Sequence, residues 1–241
     1  MAIYTSKTRI DLEDVGYSNK ITNKAILKIL ENAGARQSET IHFGLNDMEN
    51  VGFSWILLGW KVKILKRPIY NEELTINTWG RDSNRIFTYR DYEIYDESGE
   101  LCAIATSKWA IVDINTGKLR ELTPEIIEKY QCETKKVFEE DYTLKLKEPV
   151  TIIRKQEYKA QRRDIDINKH IHNLYYLDYA YEVLPEEVYE APECNNIEIM
   201  YKKQIRLNDE FKCLYTKEEN QNIITIKSKD ENTLHAIIKL Y

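Results

Sequence analysis

The chain has 241 residues, of which 42% are hydrophobic, 31% charged and 11% aromatic, with only 8 Gly and 5 Pro. This composition excludes collagen-like, low-complexity and disordered chains, and the length suits one large domain or two of roughly 100–130 residues. A net charge of −5 argues against a general nucleic-acid binder. The longest uncharged stretch, residues 51–60, is too short for a membrane helix, which needs about 20 residues.

The amino-terminal residues lack the pattern of a secretory signal or a transit peptide, so we expect a cytoplasmic location. The four cysteines contain no CxxC pair, which favours neither a zinc site nor a dense set of disulfides. We expect them to be reduced residues that pack in the interior. They are Cys102, Cys132, Cys194 and Cys213.

The chain matches itself in two places. Residues 14–27 align with residues 164–177 at an offset of 150, with identities that include Asp14/Asp164 and Asn23/Asn173. Residues 68–76 align with residues 205–213 at an offset of 137. The first half therefore holds 13 extra residues between the two matches, and the sequence predicts two copies of one plan.

In the first half, Ile26, Leu30 and Ala33 recur at helical spacing. Thr22 or Asn23 can cap this helix, and we expect it to end at Gly34 after about three turns. Period-two alternation then predicts half-buried antiparallel strands. These strands cover residues 60–64, 74–78, 87–92 and 104–109.

The second half repeats this order. Tyr176, Ala180 and Val183 predict a second helix of about three turns, capped by His172 or Asn173 and ended by Pro185. Four strands follow, at residues 197–201, 211–216, 222–227 and 234–240.

A helix that needs apolar cover, followed by an antiparallel meander, predicts an α+β fold in which a sheet curls around a central helix, occurring twice. We expect an N-terminal domain over residues 1–130 and a C-terminal domain over residues 150–241. The charged segment between them, residues 131–149, has no clear period and is interpreted as a linker.

The densest polar segment, residues 163–173, precedes the second helix. In an extended loop, Asp166, Asn168 and His170 would face one side. They offer a carboxylate, an amide and an imidazole with a pKa near working pH. The N–H groups at the start of the helix could hold a developing oxyanion, so these N–H groups and the three side chains together suit hydrolysis.

Other interpretations of this segment are weaker. An EF-hand loop would need Gly where Lys169 stands and Glu where Tyr175 stands, and His170 with His172 and Asp166 makes a poor metal site. The polar residues could instead simply turn the chain into the helix. The first copy has Gly16, Ser18 and Lys20 at the equivalent positions, so the same turn can form without the polar residues of the second copy. The isolated histidines elsewhere in the chain, His42 and His235, are interpreted as structural.

Residues 162–173 resemble the R-x-D-x-D-x-N-x-H-[VI]-x-N motif of the acyl-acyl carrier protein thioesterases, and segments near residues 67–79, 90–93 and 105–119 are similar too. The resemblance implies two tandem hotdog domains, with catalysis in the second and much of the acyl-chain pocket in the first. It implies release of free fatty acid from acyl carrier protein, without a cofactor or a metal. Asp166, Asn168 and His170 match the family's active-site positions.

One departure from the family concerns the segment after the second helix. Where the family usually has a catalytic Glu, followed in plant members by a Cys, this chain has Gln204 and Ile205. Gln204 can orient a water molecule but cannot take its proton. His170 or Asp166 is left as the base, and His170 is better matched because a carboxylate with a pKa of roughly 4 is a weak base.

The substrate-binding and partner-binding residues are predicted more loosely. Candidates for the acyl pocket are Leu27, Leu30, Trp55, Trp60 and Ile171, although ordinary core packing explains each of them equally well. An acidic carrier protein would need a basic patch, for which the candidates are Arg162, Arg163, Lys202, Lys203 and the cluster at residues 61–67.

Three other functions fit the same sequence less well: an acyl-coenzyme A thioesterase, a carrier-binding module without catalysis, and a hotdog dehydratase. The sequence is compatible with a monomer and with a homodimer, because a tandem chain already supplies the pairing that single hotdogs obtain by dimerising.

Overall fold

The computed structural model describes residues 3–81, 84–140, 145–190 and 194–241. The chain divides into two compact units, Met1–Thr143 (unit 1) and Leu144–Tyr241 (unit 2). Residues 141–144 of the predicted linker lie outside the described residues.

Unit 1 is an antiparallel sheet with a long helix. Its sheet has the strand order β1-β3-β4-β5-β2, and a short strand, β6, pairs with β5. The buried residues of α1 are mainly apolar and form the core with the sheet. In chain order the elements are β1 Tyr4–Arg9, α1 Asn23–Thr40, α2 Met48–Val51, β2 Phe53–Ile64, β3 Glu73–Gly80, β4 Thr88–Tyr95, β5 Leu101–Asp113, β6 Leu119–Arg120 and α3 Pro124–Tyr130.

Unit 2 has the same topology with a shorter helix. Its antiparallel strands follow the order β7-β9-β10-β11-β8, which is the order of unit 1 element for element. The elements are β7 Arg154–Lys159, α4 Tyr175–Glu182, α5 Glu186–Tyr189, β8 Asn196–Tyr201, β9 Glu210–Glu218, β10 Gln221–Ser228 and β11 Leu234–Leu240. All eight strands predicted from period-two alternation are therefore present.

Backbone hydrogen bonds confirm both offsets of the internal repeat. In unit 1 the Gly16 N–H donates to the Lys20 carbonyl (3.0 Å), and in unit 2 the Asp166 N–H donates to the His170 carbonyl (2.9 Å). The second offset is seen in two bonds that join the helix entry to the loop before the next strand. They are Ile21 N–H to the Pro68 carbonyl and Ile171 N–H to the Ile205 carbonyl.

The first helix begins as predicted but ends later. The Thr22 side chain accepts a hydrogen bond from the Ala25 N–H (3.1 Å) and caps α1. The prediction that the helix ends at Gly34 is wrong, because α1 continues to Thr40. Gly34 is a packing residue: a Cβ there would lie 3.0 Å from Tyr92 Oη and 3.2 Å from Arg90 Cδ.

The second helix begins later than predicted and is shorter, with 8 residues. His172 acts at its entrance, since its Nδ1 accepts the Leu174 N–H (3.3 Å), whereas Asn173 supplies no cap. Pro185 follows the helix end, as predicted, and is the residue before α5.

The 13 extra residues of unit 1 lie in two longer elements. α1 continues to Thr40 and β2 already begins at Phe53, whereas the short α2 between them has a counterpart in α5 of unit 2. Most of the uncharged stretch at residues 51–60 is therefore part of a strand.

The beginning of the predicted linker packs on the sheet of unit 1. The Trp79 indole N–H donates to the Lys135 carbonyl (3.0 Å), and the Val137 N–H donates to the carboxylate of Asp91 (3.0 Å). Asp91 is fully buried and also accepts the Thr106 hydroxyl (2.6 Å). Burial raises the pKa of Asp91. Residues 133–137 are thus held on β3 and β4 by hydrogen bonds.

The four cysteines are free, and Cys102 and Cys213 are buried. Burial raises the pKa of the Cys102 thiol to about 11, so this thiol stays protonated and packs as a small apolar side chain. Within the described ranges, no helix is both long enough and apolar enough to cross a membrane.

Candidate active site

Asp166, Asn168 and His170 lie on a tight turn, and the prediction that they lie in an extended loop is wrong. The Lys169 N–H donates to the Asp166 carbonyl (3.0 Å), and Lys169 has a φ of 63°. The turn places Asp166 and His170 directly opposite each other, joined by the hydrogen bond from the Asp166 N–H to the His170 carbonyl. Opposite positions of an antiparallel pair present their side chains on the same face, and the carboxylate is near enough to the imidazole to raise the pKa of His170.

The Asp166 carboxylate accepts hydrogen bonds from the turn that it begins. One oxygen accepts the N–H groups of Asn168 (2.8 Å) and His170 (3.3 Å), and the other lies 3.5 Å from the Asn168 amide nitrogen. The equivalent turn of unit 1 forms around Gly16, which has no side chain to accept a bond. The backbone therefore does not require a carboxylate at residue 166.

His170 is partly buried and stands between two charges. Burial lowers its pKa below the ordinary value of 6.5; the Asp166 carboxylate raises it, and Arg206 lowers it. The imidazole is therefore neutral at neutral pH and can accept a proton. Arg206 forms an antiparallel bridge with His170. Sequence reasoning missed Arg206; the offset of 137 could have found it, since Ile69 bridges Lys20 in unit 1.

The helix entrance offers fewer free N–H groups than predicted. The N–H groups of Leu174, Tyr175 and Tyr176 donate to His172 Nδ1, the His172 carbonyl and the Asn173 carbonyl. Within the described ranges, the Asn173 N–H donates to no acceptor. The expectation of several donors is thus wrong, because the entry is a turn that uses its own N–H groups, and one backbone donor is left.

Gln204 lies in the segment paired with this turn. The Ile171 N–H donates to the carbonyl of Ile205 (2.8 Å), the residue after Gln204. Tyr201 donates its hydroxyl to the Asn173 carbonyl (3.1 Å) and thereby holds the helix entrance. Gln204 and Asn168 are both exposed, so water can reach them.

The four predicted carrier-binding cations are all exposed in unit 2. Arg163 lies 3.7 Å from the buried carboxylate of Asp164, so part of its charge is compensated. Two further exposed cations, Lys169 and Arg206, belong to the turn and to its paired segment. The predicted cations are Arg162, Arg163, Lys202 and Lys203.

The predicted acyl-pocket residues are parts of packed cores. Leu27, Leu30, Trp60 and Ile171 are buried, and the Trp60 ring packs on Tyr92 with 5.3 Å between ring centroids. Trp55 is half-buried and makes an edge-to-face contact with Tyr130 (5.6 Å). None of the five lines the cavity of about 480 Å³ that unit 1 contains.

The polar residues of the turn do not form a metal site. Among the residues that the structure describes, no group of three His, Cys, Asp or Glu side chains is placed to hold a metal ion. The groups assembled at the turn are instead a neutral imidazole, a carboxylate and exposed amides, which suit proton transfer to and from water.

Known structures share this architecture over nearly the whole chain. An acyl-ACP thioesterase from Bacteroides thetaiotaomicron superposes with a TM-score of 0.86 and 22% identity, covering 99% of this chain and 97% of that one. The 12:0-ACP thioesterase from Umbellularia californica gives a TM-score of 0.88 at 16% identity, covering 100% and 96%. Both units therefore have the hotdog fold, and the predicted fold class is confirmed.

Family models define the class more narrowly. The acyl-ACP thioesterase N-terminal domain matches residues 1–130, and the acyl-ACP thioesterase C-terminal domain matches residues 147–239. The chain belongs to the acyl-ACP thioesterase family, as the motif at residues 162–173 predicted.

Curated relatives are plant proteins that are longer than this chain. An oleoyl-acyl carrier protein thioesterase of Arabidopsis thaliana is 24% identical over 238 residues, which is 92% of this chain and 65% of the relative. A palmitoyl-acyl carrier protein thioesterase of Cuphea hookeriana is 26% identical over 62% of this chain and 38% of the relative. The chain thus spans 65% of the length of the Arabidopsis relative.

Proposed function

We propose that this protein hydrolyses the thioester of acyl-acyl carrier protein and releases free fatty acid, as its relatives' names indicate for them. The observation that supports this most directly is the pairing of Asp166 and His170 across the turn. It sets a neutral imidazole beside a carboxylate, at the positions that match the family motif.

In the proposed mechanism His170 is the general base. A water molecule held by the amides of Asn168 and Gln204 gives its proton to His170, and its oxygen attacks the thioester carbonyl carbon. The C–S bond then breaks, and the imidazolium returns the proton to the leaving sulfur, which yields a carboxylic acid and the free thiol. Asp166 orients His170 and stabilises its charged form. No cysteine nucleophile is required.

The carbonyl oxygen needs a donor as it becomes negative. The Asn173 N–H is the backbone group that can supply one, and the side-chain amide of Asn168 or Gln204 can add a second. Because these side chains are exposed, we propose that the bound pantetheine arm separates them and the attacking water molecule from bulk solvent.

A comparison of substrates tests the proposal. The same acyl group, presented on acyl carrier protein and on coenzyme A, should give free fatty acid with a kcat/KM at least about tenfold higher on the carrier protein. A preference for the coenzyme A ester would instead make this an acyl-coenzyme A thioesterase. Tight binding of acyl carrier protein without any release of acid would make it a binding module.

Carrier recognition is proposed to use the basic residues of unit 2. The variant with Arg162→Glu and Arg163→Glu should raise KM for acyl carrier protein about tenfold at low salt, and less at high salt. The same variant should leave KM for an acyl-pantetheine unchanged, since that substrate lacks the protein. The double variant with Lys145→Glu and Lys147→Glu reverses two exposed charges elsewhere in unit 2 and is the matched control.

The acyl pocket stays a prediction for unit 1, with Leu27, Leu30, Trp55 and Trp60 as candidates. Enlarging Leu30 to Phe should shift the preference toward shorter acyl chains if this residue lines the pocket. An unchanged chain-length profile would leave Leu30 as a core residue only. The cytoplasmic location and the oligomeric state also stay predictions from the sequence.

A further inference from the structure

Gln204 occupies a position whose side chain reaches the helix entrance in the other unit. The offset of 137 aligns Gln204 with Arg67. The Arg67 guanidinium donates to the Ile21 carbonyl (2.9 Å) and to the side-chain oxygen of Asn23 (2.7 Å). Asn23 aligns with Asn173, whose N–H is the proposed donor to the thioester carbonyl. A side chain at residue 204 is therefore directed at the place where that carbonyl is proposed to bind.

His235 holds the segment that carries Gln204. Its side chain is buried, and its Nδ1 lies 2.9 Å from the Lys203 carbonyl. Burial lowers the pKa of His235 below the ordinary 6.5, while its contacts with the backbone of Lys203 and of Gln204 raise it. The neutral ring carries one N–H, and because a carbonyl can only accept, this N–H is on Nδ1. His235 thus donates to the residue directly before Gln204.

Tyr176 contacts the residue directly after Gln204. Burial raises the pKa of the Tyr176 hydroxyl, and a hydrogen bond with the backbone of Ile205 lowers it. A backbone group that favours the phenolate is an N–H donor, so the Ile205 N–H faces the hydroxyl. The residues on either side of Gln204 are therefore each held by a buried polar side chain, one from β11 and one from α4.

The residue equivalent to His235 in unit 1 makes a different contact. The Lys202 N–H donates to the His235 carbonyl (2.8 Å). In unit 1 the Leu65 N–H donates in the same way to the carbonyl of Cys102 (2.7 Å), so His235 and Cys102 are equivalent. The Cys102 thiol donates to the Glu100 carbonyl (3.5 Å), two residues earlier in the chain. The shared backbone therefore forms without an imidazole at this position.

Tyr176 is also replaced in unit 1 by a residue without a polar side chain. The offset of 150 aligns Tyr176 with Ile26, and the offset of 137 aligns Ile205 with Pro68, which has no N–H to donate. Neither polar contact is thus required by the shared backbone, and both belong to the unit with the candidate chemistry.

We propose that His235 and Tyr176 are positioning residues for thioester hydrolysis. They fix the backbone on either side of Gln204, so that its amide holds the attacking water molecule beside the helix entrance. The proposal rests on the proposed function, because it concerns the water molecule that His170 activates.

A double-mutant cycle with Gln204 tests the proposal. His235→Cys installs the residue that unit 1 has here and should lower kcat with acyl carrier protein substrates about tenfold, with KM unchanged. Gln204→Ala should lower kcat at least as much, and adding His235→Cys to it should lower kcat no further. Full kcat of either single variant would overturn the proposal, as would an equal loss from His235→Cys with and without the Gln204 side chain.

A conservative variant separates positioning from simple filling of space. His235→Asn keeps a side-chain N–H one bond from Cγ, as Nδ1 is, and should restore kcat to within about threefold of the unaltered chain. A kcat no higher than that of His235→Cys would contradict the donated hydrogen bond.

Tyr176→Phe removes only the hydroxyl and keeps the ring that packs on Tyr201 (5.4 Å between centroids). It should lower kcat only when Gln204 is present, and it gives the same cycle if His235→Cys does not fold. Cys102→Ala changes the equivalent position of unit 1 and is the matched control, with kcat expected within about twofold. Failure of the thioesterase proposal shows separately, as absence of acid release by the unaltered chain.

Discussion

Asp166 and His170 lie opposite each other in a turn whose ends are joined by the Asp166 N–H and the His170 carbonyl, 2.9 Å apart. The Asp166 carboxylate raises the pKa of His170, while burial and Arg206 lower it, and the balance lies below the ordinary 6.5. Because the internal repeat supplies the same turn without these side chains, variants at matching positions can separate chemistry from folding.

Removal of the proposed base should abolish most activity. His170→Ala is expected to lower kcat by a factor of about 100 to 10,000, the usual contribution of a general base. Lys20→Ala changes the equivalent position of unit 1 and should leave kcat within about twofold. Steady-state kinetics with acyl carrier protein substrates measure both, and near-full activity of His170→Ala would show that the base lies elsewhere.

Two variants, Asp166→Asn and Arg206→Gln, should shift the pH dependence of kcat/KM in opposite directions. A base must be unprotonated, so activity rises with pH through the pKa of His170. Asp166→Asn removes the charge that raises this pKa and should move the acid limb to lower pH, with a lower maximal rate because the imidazolium loses its partner.

Arg206→Gln removes a charge that lowers the pKa and should move the acid limb to higher pH. Profiles between pH 4.5 and 8 at constant ionic strength measure both shifts. If both variants lose activity and the acid limb of neither profile moves, the two residues have a structural role.

Gly34 should not tolerate a methyl group. In Gly34→Ala the added Cβ lies 3.0 Å from the hydroxyl of Tyr92, which is fully buried and cannot move aside easily. Overpacking costs about 1–3 kcal/mol and improved helix propensity returns about 1, so we expect a net loss of about 1 kcal/mol. Urea unfolding measures it.

The exposed neighbour Ala35 gives the reference for Gly34. Ala35→Gly should lose about 0.5–1 kcal/mol through backbone entropy alone. A stabilised Gly34→Ala variant would contradict the packing explanation and favour propensity.

Asp91 should hold residues 133–137 on unit 1. Asp91→Ala leaves the Val137 N–H and the Thr106 hydroxyl without their acceptor and Arg81 without this carboxylate, 3.6 Å away. Loss of a buried, hydrogen-bonded carboxylate is expected to cost about 3 kcal/mol or more. Trypsin should then cleave faster at Lys135 and Lys136.

The exposed ion pair between Arg85 and Glu121 gives the control for this cleavage. Glu121→Ala should cost less than about 1 kcal/mol, because exposed pairs contribute little. Equal cleavage rates in the Asp91 variant and in the unaltered chain would contradict the proposed attachment.

The fold was largely predictable because its signals are local and repeated. The alternation of strands such as β3 and the Thr22 cap are readable from short windows of sequence. The first strand of each unit was missed. Both β1 and β7 are short and rich in polar and charged residues, which suits the edge of a sheet but hides the apolar alternation that identifies a strand.

The helix limits and the site geometry were less predictable. Gly34 looked like a helix end because the close approach of β4 that requires a glycine is a tertiary contact. The turn at residues 166–170 looked extended because a positive φ at Lys169 has no signal in a lysine; the equivalent Asn19, with a φ of 60°, is the more readable of the two.

The identities of the repeat proved structural. Asp14 and Asp164 are both buried, and each accepts the N–H of the residue three positions earlier, Asp11 (3.2 Å) or Gln161 (2.7 Å). The residues that carry the candidate chemistry, Asp166, Asn168 and His170, are not shared by the first copy. Comparing the two halves therefore separates scaffold from candidate chemistry more sharply than either half alone.

The matching turn of unit 1 has a further use. Since Gly16, Ser18 and Lys20 occupy a backbone already shaped like that of the second copy, carboxylate, amide and imidazole groups could be grafted there without remodelling the chain. Such a variant would carry the same functional groups in both units. Its activity would show whether placing these groups on an equivalent backbone is enough to create a second catalytic site.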